Sequence, residues 1–157
     1  MKIPILHVGG WYDICVFGTL KNFVGVQKHG GSKKARTNQQ VILGPWIHEA
    51  SVYTHAGEVD YGVESRLDLQ EVELKWFDRW LKGEENGAEN DAPVKIFTMG
   101  TNEWRDENEW PLERTNYTPF YLHSQGNANS RTGDGLLSTE PPSDEPCDEY
   151  HYNPEFP

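Results

Sequence analysis

The stretch Ile3-Pro4-Ile5-Leu6-His7-Val8-Gly9-Gly10-Trp11-Tyr12-Asp13 constrains the fold of this chain more than any other. Ile3 to Val8 is a bounded, β-rich apolar run. It reads as a buried strand or as a piece of buried helix, since a run this short fits either. Gly9-Gly10 ends it, and two residues without Cβ permit a sharp turn. Read as a strand, the run delivers Asp13 to its carboxyl end, where open α/β sheets place their sites.

The following segments supply what such a strand needs. Phe17, Leu20 and Val24 fall at helical spacing within 17–28, and Gly30-Gly31 stops the helix. Ser32 to Gln40 is polar and reads as a surface loop that carries the only basic cluster, Lys33-Lys34-Ala35-Arg36. Val41-Ile42-Leu43 is a second short strand, and Gly44-Pro45-Trp46-Ile47-His48 turns directly out of it. Strand, helix, strand in that order predicts a parallel sheet with crossover helices. Residues 49–64 lack periodicity and read as loop. Residues 65–82 predict a helix that starts on Ser65 and Asp68, carries Leu69, Val72, Trp76 and Trp80 on one face and closes at Gly83.

Residues 84–92 are polar and acidic and read as a linker between a first domain, 1–83, and a second, 93–157. In the second, short β-rich runs at Val94–Met99, Phe120–Leu122, Leu136–Leu137 and Tyr150–Tyr152 alternate with Gly, Asn and Pro clusters. That grammar predicts a β-sandwich. A sandwich takes about 100 residues, so the second domain is expected to be partial. Two strands are equally few for a parallel sheet, and the chain is expected to be the carboxyl-side part of something longer. An open sheet edge of that kind predicts self-association into a homo-oligomer.

Composition narrows the function classes. A formal charge of −11 gives no surface for nucleic acid, which demands clustered Lys and Arg. No apolar run approaches the roughly 18 residues of a membrane span, and no signal-peptide pattern opens the chain. Cys15 and Cys147 are too few for a disulfide framework, a lean toward a reducing, cytoplasmic setting. His48, Glu49 and His55 fit no established zinc spacing, and Asp106-Glu107-Asn108-Glu109 lacks the glycine and spacing of a calcium loop, so neither a metal nor any cofactor is expected.

Asp13 and His48 are the constellation with chemical meaning. Each follows a strand, and neighbouring strand ends can bring a carboxylate to one imidazole nitrogen while the other stays free as a base. The order acid, then histidine, matches the last two triad members of α/β-hydrolases.

These residues also carry a resemblance. Pro4 to Asp13, Leu43-Gly44-Pro45-Trp46-Ile47-His48, Leu74-Lys75-Trp76-Phe77-Asp78-Arg79-Trp80-Leu81-Lys82-Gly83 and Val94 to Gly100 with Asn102-Glu103-Trp104-Arg105 and Trp110-Pro111 resemble the motifs of the CocE/NonD hydrolases. That serine-hydrolase group takes in cocaine esterases, α-amino-acid ester hydrolases and X-Pro dipeptidyl-peptidases. Phe120 to Ser124 and Gly135 to Ser138 fit as well, in order along nearly the whole chain. The resemblance implies an α/β fold: the C-terminal part of an α/β-hydrolase domain, then the start of a jelly-roll-like β-sandwich. It assigns Asp13 as triad acid and His48 as triad base, with an ester or amide as substrate. Trp11, Tyr12, Cys15 and Trp46 are expected to line the substrate pocket. Cys15 stands where members of the group often carry a pocket phenylalanine, and it either enlarges the acyl site or is buried filler.

No serine here lies in Gly-x-Ser-x-Gly, so the nucleophile and the oxyanion-hole tyrosine are expected upstream and the isolated chain is expected to be inactive. The alternative function is a non-catalytic binding module that grips a partner through Trp104 and Trp110.

Overall fold

The computed structural model describes residues 1–49 and 53–155. They divide into two compact units, 1–113 and 114 onward.

The first unit is built on strands β1 (Ile5–Gly10) and β2 (Gln39–Gly44), paired in parallel from Ile5 opposite Gln39 to Gly10 opposite Gly44. The apolar run is therefore a strand. Gly9 and Gly10 lie inside it, and the turn comes after them, where the Asp13 N–H donates to the Gly10 carbonyl at 3.0 Å. Helix α1 (Val16–His29) makes the crossover.

The expected surface loop after it is instead helix α2 (Lys33–Thr37), because Ser32 Oγ caps the Ala35 N–H at 3.0 Å. Arg36 then donates to the Gly30 carbonyl at 2.7 Å, which ties the basic cluster back onto the end of α1.

Of the expected loop 49–64, residues 50–52 lie outside the described residues, and β3 (His55–Ala56) and β4 (Val59–Asp60) form a small antiparallel hairpin. Helix α3 (Leu69–Phe77) is shorter than its sequence pattern. Its cap is Asp68, whose carboxylate accepts the Glu71 N–H at 3.1 Å, whereas Ser65 is fully buried and donates to the Gly62 carbonyl. A wider turn, Asp78–Lys82, carries the helix on to Gly83, whose φ of 81° closes it in the left-handed region.

Residues 84–92 do not separate two units. Lys75–Asp91 and Arg79–Glu89 ion pairs fold this segment back on α3. The next strand, β5 (Val94–Thr98), joins the other side of β2 in parallel. β6 (Glu103–Glu107) then pairs antiparallel with β5, giving the sheet order β1-β2-β5-β6. The acidic run at 106–109 thus begins as strand, with Asp106 paired to Lys95 at 2.7 Å.

Strand alternation sorts the core into two faces. Val41, Leu43, Val94 and Ile96 meet Phe23 of α1 on one face, with Trp11, Leu20, Val24 and Trp110 at the margin. Phe97 meets Ala56, Tyr61 and Trp104 on the other. β2, buried along its whole length, is the spine of the unit.

In the second unit, β7 (Tyr121–His123) and β8 (Leu136–Ser138) form an antiparallel pair, and Tyr150–Tyr152 is not a strand. Among the described residues of this unit the pair is the one sheet. Polar bonds hold the unit together: Ser124 Oγ reaches Asp148 at 2.9 Å and Asp134 at 3.2 Å, and His123 Nδ1 meets Glu145 at 2.6 Å.

Candidate active site

Two backbone bonds clamp the ends of β1 and β2. The Trp11 N–H donates to the Gly44 carbonyl at 2.9 Å, and the Tyr12 N–H to the Trp46 carbonyl at 3.1 Å. This close approach explains Gly10, where a Cβ would sit 2.0 Å from the Trp46 carbonyl oxygen. A Cβ on Gly44 would likewise sit 2.3 Å from the Trp46 indole, which folds back over it. The glycines therefore serve contact between the strand ends more than turn geometry.

The clamp brings together the two residues singled out from the sequence. His48 Nδ1 lies 3.1 Å from Asp13 Oδ1. The Asp13 carboxylate is 9% exposed, and the imidazole is 73% exposed. Asp13 also accepts the Cys15 backbone N–H at 2.7 Å, just ahead of α1. That amide bond, with help from His48, holds the Asp13 carboxyl below its usual range. An ionised Asp13 can only accept, so Nδ1 of His48 carries the proton and donates. Among the described residues Nε2 has no hydrogen-bond partner.

The expected pocket residues separate. Tyr12 is 47% exposed beside the pair, its hydroxyl bonded to that of Tyr61. Cys15 is exposed, so it is not buried filler. Trp46 is 2% exposed, donates from Nε1 to the Ser65 carbonyl at 3.1 Å and lies tilted against Trp104, so it packs within the core of the first unit. Trp11 is half-buried, donates to the Phe97 carbonyl at 2.8 Å and lies against Trp110. Trp104 donates to the Glu64 carbonyl, so both indoles of the binding-module alternative are engaged in packing within the first unit. Tyr61 carries no signal in the sequence, since it lies in an aperiodic stretch with no motif. Its bond to Tyr12 and its burial push its hydroxyl up to about 12.

A sequence profile for the X-Pro dipeptidyl-peptidase C-terminal non-catalytic domain matches residues 86–155, a segment that excludes Asp13 and His48. Cocaine esterase from Rhodococcus sp. (strain MB1 Bresler) is 38% identical over 160 residues, spanning 100% of this chain. The chain resembles the CocE/NonD hydrolases. It spans only 26% of the length of that esterase. Its fold is like that of an aminopeptidase from a marine sediment Thaumarchaeota archaeon, with a TM-score of 0.59 at 21% identity over 91% of this chain and 22% of that one. A CocE/NonD family hydrolase from Staphylococcus aureus matches at 0.50 and 20% identity, over 79% of this chain and 20% of that one.

Proposed function

We propose that this chain supplies two-thirds of a serine-hydrolase triad that transfers the acyl group of an ester or amide to water. In this reading the first unit is the C-terminal part of an α/β-hydrolase domain, and the second opens a jelly-roll-like β-sandwich. The observation that carries it is the 3.1 Å contact between His48 Nδ1 and the nearly buried Asp13 carboxylate at two clamped strand ends.

A serine from outside these 157 residues attacks the carbonyl carbon, and its proton passes to Nε2 of His48. Asp13 holds the imidazole in the tautomer that leaves Nε2 basic and stabilises the imidazolium that forms. His48 then returns the proton to the leaving group, and water repeats the cycle to release the acid.

The test uses the protein that carries the nucleophile. Asp13→Asn lowers kcat by about four orders of magnitude, because an amide leaves the wrong tautomer in place, and His48→Ala abolishes turnover with circular dichroism unchanged. Retained turnover in either variant refutes the assignment. Fluorophosphonate labelling of the 157-residue chain, read by intact mass, yields no adduct; a stoichiometric one would place the nucleophile within it.

A further inference from the structure

Cys15 completes a constellation that residue spacing in the sequence does not suggest. Ligating atoms of Asp13, Cys15 and His48 all lie within 4.8 Å of one another, and the carboxylate and imidazole atoms are 3.1 Å apart. A tetrahedral zinc ion bonds sulfur at about 2.3 Å and nitrogen or oxygen at about 2.0–2.2 Å. Its ligand atoms therefore stand roughly 3.3–3.7 Å from each other, as those lengths and the tetrahedral angle require. Cys15 and His48 are both exposed, so side-chain rotation closes the remaining gap. Cys15 precedes α1, yet its side chain makes no capping bond there. Asp13 is already fixed by the Cys15 amide and needs no movement.

We propose that Asp13, Cys15 and His48 form a binding site for a thiophilic divalent cation of the Zn2+ type, and that its occupancy switches off the general base. On binding, the Cys15 thiol gives its proton to solvent and ligates as thiolate. His48 contributes a ring nitrogen, Asp13 one carboxylate oxygen, and water takes the open fourth position. A neutral imidazole has one basic nitrogen, so a metal-bound His48 keeps no lone pair for the serine proton. This consequence rests on the triad reading of His48, while the binding itself does not.

Cobalt(II) is the probe, titrated into the purified chain. The expected result is a thiolate-to-cobalt charge-transfer band that saturates at one equivalent and is displaced by Zn2+. Cys15→Ser removes the band, Cys147→Ser keeps it, and His48→Ala weakens binding by at least about tenfold. Circular dichroism of Cys15→Ser, a change at an exposed position, verifies that the fold persists. A band that survives Cys15→Ser, or no band in the unaltered chain, overturns the proposal. Cobalt binding as described, with hydrolysis by the nucleophile-bearing protein indifferent to Zn2+, overturns the triad reading and leaves the site standing.

Discussion

Gly10 is where one missing carbon atom decides whether Asp13 and His48 can meet. Any Cβ there would lie 2.0 Å from the Trp46 carbonyl oxygen, and that oxygen belongs to backbone already bonded to Tyr12. The obstacle is main chain at a clamped strand end, so relief requires the two ends to part. Gly10→Ala is therefore expected to cost at least the roughly 1–3 kcal/mol typical of overpacking, read from the urea midpoint. Its activity loss in the nucleophile-bearing protein should exceed what the stability loss accounts for, because the Asp13–His48 distance opens. A variant as stable and active as the parent would show that the clamp is dispensable.

At the scale of elements, α1 offers the opposite sign for the same substitution. Gly18 lies on its exposed side, and a Cβ there meets nothing within 4 Å. Glycine inside a helix destabilises by about 0.5–1 kcal/mol relative to alanine. Gly18→Ala should raise the unfolding midpoint by that amount in the same urea titration, and a drop would mean that the helix face is in use. The elements differ in how far their residues announced them. α1 carries its apolar stripe and stop in its own sequence, and the structure differs by one residue at each end. α3 starts later than its pattern because Ser65 is drawn into the core beneath Trp46, which leaves Asp68 to cap. α2 arises from a single capping serine within a polar run, a signal easily read as loop.

Across the whole molecule, the two units are held by different physics. The first has an apolar core on both faces of its sheet, whereas the second relies on bonds such as His123 to Glu145. Hydrogen bonding to Glu145 raises the His123 pKa, and the same bond lowers that of Glu145. The histidine contribution is fully present below the ordinary value of about 6.5 and is lost as pH rises through the raised one. The glutamate contribution is present above about 4.3 and is lost as pH falls through the depressed one. Stability of the second unit should therefore peak between those ordinary values, as amide-exchange protection factors for Tyr121–His123 would record. Protection indifferent to pH, or a maximum retained in Glu145→Gln, would refute the pairing.

By itself the sequence determined the local features: β1 and β2 as apolar runs, α1 as an amphipathic stripe, the Gly83 stop, and Asp13 and His48 as residues that follow strands. These follow from periodicity and residue chemistry, which act over a few positions. The tertiary structure decided what depends on distant partners. It joined β5 and β6 to the first sheet, which moved the boundary of the first unit from 83 to 113, because strand pairing is settled by the neighbour a strand finds. It buried Trp46, exposed Cys15 and bonded Tyr61 to Tyr12. It also set the 3.1 Å contact of His48 with Asp13, across 35 positions of chain, because that distance depends on the close approach of two backbones that no single stretch of sequence contains.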